Sequence, residues 1–220
     1  QWGGFTLQWY TQMFDSRSIM SALTTTLIIA FVSALVATII GTAAAISISS
    51  MRTVPRTIVM GITNIPMLNA DIVTGISLML AFIAFGISLG FKTVLISHIT
   101  FNIPYVILSV MPKLKQTDRT TYEAALDLGA TPVRAFFKVV FPDIMPGVLS
   151  GFLLAFTMSL DDFIITHFTR GAGINTLSTL IYSEVRRGIK PSMYALSTII
   201  FLTVLILLLI TNFAPKRKKH

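Results

Sequence analysis

Asp71, Asp161 and Asp162 lie inside or at the edge of long apolar stretches, where an ionisable group costs at least a few kcal/mol and usually faces a cavity or a partner. They are the candidates for the wall of a substrate path. Asp161 and Asp162 are neighbours, so on a helix they point about 100° apart and cannot both face one pore. One of the two is expected to face the path. Structural roles compete with this reading. Asp71 could cap a helix restarting after Pro66, and Asp161 or Asp162 could pair with Arg170 or with a basic group on another chain.

Other chemistries find less support. The three histidines, His98, His167 and His220, share no metal-ligand spacing, so no metal site is expected. With no cysteine in the chain, disulfides and thiolate metal sites are excluded. Local sequence suggests no Ser–His–acid arrangement. Adjacent aspartates on one helix cannot share a proton across a site as a catalytic dyad does, which argues against an intramembrane hydrolase. No glycine-rich phosphate loop is present, so nucleotide is expected on a different chain, with no cofactor here and no enzymatic activity.

The elements that must hold these residues are helices in a membrane. Of 220 residues, 54% are hydrophobic and 12% charged, and the mean hydropathy is +0.78, far from the balance of a soluble domain. A helix needs about 20 apolar residues to cross the hydrocarbon layer. Five stretches qualify: 22–48, 58–87, 93–111, 144–166 and 193–213. The second is longer than a straight crossing needs and contains Asn64, Pro66, Asn69 and Asp71, which predicts one kinked or tilted helix with a polar middle. Pro104 is expected to bend the third. The fold class is therefore all-α, a polytopic helical membrane protein forming a single domain over 1–220. Ion-coupled transporters often show inverted repeats, and no repeat is found.

Basic residues set the orientation, because positively charged loops stay in the cytoplasm. The larger set comprises Arg52, Arg56, Lys113, Lys115, Arg119, Arg134, Lys138 and the run Lys216-Arg217-Lys218-Lys219. Arg17, Lys92, Arg170, Arg186, Arg187 and Lys190 fall on the other side. This puts the start of the chain outside, with Trp2, Trp9 and Tyr10 in an aromatic belt, and the C-terminus and loop 113–142 in the cytoplasm. The net charge of +8 is then topology plus attraction to membrane lipid, and nucleic acid is not an expected partner. The outer loop, about 167–192, carries Glu184, Arg186, Arg187 and Lys190, read as a solvated helix.

Within loop 113–142, Thr120 and Glu123 are spaced as a capping box, and Ala124, Ala125, Leu126 and Leu128 favour helix. Gly129 can stop that helix in a left-handed conformation. Thr131 can cap a second helix with Pro132 at its first position. The expected shape is two short helices meeting at a glycine, with Ala124, Ala125 and Gly129 on a small-residue face.

The run Glu123-Ala124-Ala125, three residues, Gly129, nine residues, Val139, one residue, Phe141-Pro142 resembles the "EAA" loop of binding-protein-dependent ABC importer permeases of type I. Phe141 stands where that family has leucine. The resemblance implies that Glu123, Ala124, Ala125, Gly129 and Pro142 couple the chain to an ATPase subunit, Glu123 by contact and Gly129 by setting the bend. Ser97-His98-Ile99-Thr100-Phe101, Pro104-Tyr105, Asp71-Ile72-Val73 and Ser159-Leu160-Asp161-Asp162 are similar to the branch that carries spermidine and putrescine. The similarity covers nearly the whole chain and departs at Asn69-Ala70-Asp71, where that branch has a proline before the aspartate.

For such cargo the resemblance implies a path in which Asp71, Asp161 or Asp162 replace the hydration of ammonium groups, with Tyr105, Phe163, Phe101 and Phe168 offering aromatic faces. It further implies a bacterial inner-membrane location and a second permease subunit as heterodimer partner. Two ATP-binding subunits holding ATP and magnesium and an extracytoplasmic polyamine-binding protein, met by the outer loop, complete the set. Six spans are usual in this family, so a sixth is expected before Gln1. A related importer for another small solute remains an alternative.

Overall fold

The computed structural model describes residues 8–188, together with 191, 193–199, 201, 202 and 205. Helix α1 (Gln8–Asp15) leads into α2 (Arg17–Ser49), a 33-residue helix. Then come α3 (Thr53–Leu68), α4 (Asp71–Ala84) and α5 (Phe91–Gln116). After α6 (Arg119–Asp127), the short α7 (Pro132–Ala135) passes through a π-helical turn (Phe136–Val140) into α8 (Phe141–Asp161). Helices α9 (Ile164–Thr169) and α10 (Leu177–Arg187) complete the named elements.

The core is the mutual packing of α2, α5 and α8. A seam of small residues on α2, including Ala30, Ala34, Ala37 and Ala45, is fully buried, because between membrane helices close backbone approach supplies the attraction that the hydrophobic effect supplies in water. Gly41 is the tightest point. A Cβ there would lie 2.7 Å from Val106 Cβ and 3.2 Å from the Ile103 carbonyl oxygen.

Among the described residues, three helical segments are long and apolar enough to cross a membrane: Arg17–Ser49, Phe91–Gln116 and Pro132–Asp161. Three expectations need correction here. The stretch 58–87 is not one kinked helix; α3 and α4 meet at 103°. Pro66 stays inside the last turn of α3, and the break falls at Asn69 and Ala70, both extended. The stretch 144–166 is likewise interrupted, since α8 ends at Asp161 and Asp162 is extended (ψ 126°) before α9 begins. Finally, the helix opened by Thr131 and Pro132 is not short, because it runs on through the π-helical turn into α8. Pro142 has no N–H to give the Lys138 carbonyl, and the Phe141 amide beside it reaches five residues back to Phe136.

Helix α5 continues through Pro104 and Pro112. Of the expected span 193–213, residues 193–199 are helical, with Met193 and Leu196 buried against Met13, Ile19, Ala22 and Leu180. The remainder lies largely outside the described residues, as do Trp2, Lys190 and the basic tail.

Candidate functional site

Both helix breaks open onto one cleft of about 500 Å³. Its wall contains Asp71 from α4, Phe101 and Tyr105 from α5, Thr157, Met158 and Asp161 from α8, and Asp162 and Phe163 from the second break. Pro66, Thr74, Ile164 and Ile165 complete it. The five residues expected on a substrate path, Asp71, Asp161, Asp162, Tyr105 and Phe163, are thus brought together; Phe168 is not among the lining residues. Interrupted backbone at membrane depth is tolerated where it lines a cavity, since extended residues leave polar groups that lipid cannot satisfy.

The carboxylates are held differently. Asp71 is exposed and occupies the first turn of α4, where negative charge complements the free amides. Its side chain makes no capping bond; the Val73 and Thr74 amides bond the Ala70 carbonyl instead. Asp161 is also exposed. Asp162, by contrast, is only 8% exposed in its side chain. Its Oδ1 accepts from the Ile165 amide at 3.2 Å, and its Oδ2 accepts from the Thr166 amide and the Thr166 hydroxyl, both at 2.8 Å. His98 Nε2 lies 3.4 Å from the same Oδ2. Arg170 is not its partner. That guanidinium donates to the Ile174 carbonyl and to Asn175 Oδ1.

A buried polar chain therefore stands behind the acidic pair. Ser33 and Ser159 hydroxyls are 3.0 Å apart, Ser159 meets His98 Nδ1, and His98 Nε2 is 2.9 Å from the Thr166 hydroxyl. Sequence reasoning set His98 aside for lacking metal-ligand spacing. The signal that could have found it is an ionisable side chain within the apolar stretch 93–111, which by itself marks a polar contact. Among the described residues no group of three potential ligands could hold a metal.

On one side of the cleft, Phe163 packs against Tyr182 and His167 with ring centroids 4.7 and 5.3 Å apart, and Arg186 lies over the Tyr182 ring. The Ser178 hydroxyl of α10 donates to the Asp162 carbonyl at 2.7 Å, and the Leu177 amide donates to the Thr26 hydroxyl at 2.7 Å. Helix α10 is thereby tied to the second break and to α2 at once.

The second candidate element is the loop at the far end of α8. Its capping differs from the expected Thr120–Glu123 box. The Asp118 carboxylate caps α6 by accepting from the Thr120 amide at 2.9 Å, and that bond, made chiefly by the backbone amide, holds the carboxyl below the usual carboxylate range. With Asp118 as the N-cap the helix starts two residues earlier than that box requires, and Thr120 falls inside its first turn. Glu123 is left mid-helix and exposed.

Gly129 has φ +87°. The Gly129 amide bonds the Leu126 carbonyl and the Ala130 amide bonds the Ala125 carbonyl, the paired closure of a Schellman turn. Thr131 then accepts from the Arg134 amide, with Pro132 at the first helical position. Ala124 and Gly129 are exposed and Ala125 is half-buried, and Pro142 is exposed at the α8 start. Leu128 (89%), Val133 and Phe137 are uncovered around the bend, an apolar patch of the kind that marks a contact with another chain.

Residues 37–219 match the family model described as "Binding-protein-dependent transport system inner membrane component". The spermidine/putrescine transport system permease protein PotC of Haemophilus influenzae is 36% identical over 219 residues, covering 100% of this chain and 85% of that protein. The putrescine transport system permease protein PotI of Escherichia coli K12 is 38% identical over 206 residues, 90% of this chain and 73% of that one. Among solved structures, a bacterial ABC transporter involved in the import of the acidic polysaccharide alginate aligns with a TM-score of 0.76 at 15% identity, over 100% of this chain and 86% of that one. An amino acid ABC transporter aligns at 0.67 and 17% identity, over 97% and 100%. These two likenesses speak for the fold alone.

Proposed function

This chain belongs to the family of binding-protein-dependent transport system inner membrane components, and we propose that it is the polyamine-carrying permease subunit of an ATP-driven importer. The observation that carries the reading is the cleft, in which two exposed carboxylates, Asp71 and Asp161, stand with Tyr105, Phe101 and Phe163. A polyamine is a chain of methylenes with ammonium groups at intervals. Carboxylates replace the water around those ammonium groups, and aromatic faces accept both the cation and the methylenes. A neutral sugar would leave the carboxylates without a partner.

ATP and magnesium belong, in this reading, to two partner subunits that receive the loop around Gly129 and its exposed Leu128, Val133 and Phe137. This chain contributes no nucleotide site. A second, related permease packs against α3 and α4. Helix α3 has no buried residue in this chain, and Ile58, Ile62, Ile72 and Ile76 are exposed along the broken span, a face suited to a second helical subunit. Cargo arrives from an external binding protein at the α10 side, with the start of the chain outside and its C-terminus in the cytoplasm.

Competition uptake in proteoliposomes holding the whole complex tests the cargo. Unlabelled spermidine and putrescine should each suppress uptake of labelled putrescine, and a neutral sugar should not. Suppression by the sugar alone would overturn the polyamine reading and leave the permease standing.

A further inference from the structure

In a neutral ring, the hydrogen-bond partners of His98 fix its tautomer. A carboxylate only accepts, and a threonine hydroxyl has one proton. The Thr166 hydroxyl gives its proton to Asp162 Oδ2, so the His98 nitrogen 2.9 Å from that hydroxyl oxygen must be the donor. This places the ring proton on Nε2, 3.4 Å from Asp162 Oδ2. Nδ1 is then the acceptor for the Ser159 hydroxyl, whose oxygen lies 3.0 Å from that of Ser33. A chain of polar contacts runs from α2 through α8 and α5 to the first turn of α9. The opposite tautomer would set a lone pair against the Thr166 and Asp162 oxygens. His98 is 1% exposed, and Phe101 packs on its ring edge-on with centroids 5.3 Å apart.

We propose that His98 is a positioning residue. Through Thr166 it locks the Asp162 carboxylate onto the amides that open α9, fixes the α8–α9 break, and leaves Asp161 as the member of the acidic pair that meets cargo. The function of the lock rests on the polyamine reading above; the lock itself does not.

Two substitutions of similar size separate this role from mere filling of the core. The asparagine amide reaches about as far as Nδ1 and keeps the Ser159 contact alone, whereas the glutamine amide reaches the place of Nε2 and keeps the Thr166 and Asp162 side. The chain has no cysteine, so Ile165→Cys, at a position 2% exposed on α9, gives this subunit a single thiol. In the purified complex that thiol is exposed to a water-soluble maleimide, and its modification is followed by mass on this subunit.

With His98 in place, and with His98→Gln, the thiol should react slowly. With His98→Asn it should react at least about tenfold faster, the opening expected when one hydrogen bond to a charged group is lost. Equal rates for the two variants, a faster rate for glutamine, or failure of both to assemble would overturn the proposal. Amine uptake is measured on the same His98 substitutions with Ile165 kept. His98→Asn should raise KM several-fold while His98→Gln stays near wild type. A complex that keeps the thiol order but carries no amine removes the cargo reading and upholds the lock.

Discussion

Asparagine at position 162 and asparagine at position 161 are expected to damage the protein in opposite ways. The Asp162 carboxylate accepts one hydrogen bond on Oδ1 and two on Oδ2, with His98 Nε2 beside the second oxygen. An amide has one oxygen. If it takes the place of Oδ2, its NH₂ faces the Ile165 amide, donor against donor. A hydrogen bond to a charged group is worth about 1.5–3 kcal/mol, and those that remain become neutral and roughly half as strong. A loss of about 3 kcal/mol follows. At about 2–4 °C per kcal/mol for a chain of this length, the thermal midpoint of the purified complex should fall by about 6–12 °C.

Asp161 is exposed on the cleft, and exposed substitutions that break no contact stay within about 0.5 kcal/mol. Asp161→Asn should therefore leave the midpoint unchanged within about 2 °C and instead raise the KM for amine uptake. If that carboxylate supplies one charged hydrogen bond to an ammonium group, the increase is about tenfold or more. The assays are scanning fluorimetry of the complex and initial uptake rates in proteoliposomes. A stable Asp162→Asn complex beside an unstable Asp161→Asn complex would refute the assignment of the two aspartates.

At Gly129, φ +87° with nothing within 4 Å of a built Cβ makes the penalty purely one of backbone. A side chain there costs about 1–2 kcal/mol, so Gly129→Asp should insert normally and lose ATP-driven uptake; undiminished uptake would remove the coupling role. Gly41→Ala should lower the thermal midpoint by the equivalent of about 1–3 kcal/mol through overpacking on Val106; an unchanged midpoint would contradict the packing described. The Asp118 carboxyl, held low by the Thr120 amide, should keep its cap through the pH at which a free aspartate takes up its proton and lose it only in more acid solution. A ¹³C-followed titration with a midpoint at or above that of free aspartate would remove the cap.

Residue type and spacing carried the helical membrane fold, because a long apolar run has few other folds in lipid. They carried Gly129 and the Thr131–Pro132 start too, which depend on neighbours within one turn. What they missed depends on neighbours far along the chain. Pro66 was the local signal for a bend, yet the break lies at Asn69 and Ala70, next to where α4 packs on α9. Asp161 and Asp162 are the same residue in the same apolar surroundings. The break that lets Asp162 turn back onto the Ile165 and Thr166 amides, together with His98 on a helix that begins 70 residues before Asp161 at Phe91, makes one of them structural. Thr120 failed as a cap for a local reason, since Asp118 takes the N-cap position two residues earlier.

The two candidate elements are joined by one rod. From Pro132 to Asp161 the chain is helical for 30 residues, about 45 Å at 1.5 Å per residue, with the exposed bend at Gly129 at one end and the cleft at the other. Ile144, Gly147, Gly151 and Ala155 are buried along it, so α8 is packed against α5 and α2 through most of its length and resists bending there. A push at the bend is thus carried to Asp161 rather than absorbed on the way. The place able to yield is the α3–α4 break, where Asn69 and Ala70 are extended and helical hydrogen bonding is interrupted. On the proposed function, closure of the ATPases would move α8 with its core as one body and change the cleft at its broken edges, where α4 and α9 meet the cargo. The His98 chain lies across that edge and ties α9 to the moving core, so cargo affinity and coupling should be separable at Asp161 and inseparable at Asp162.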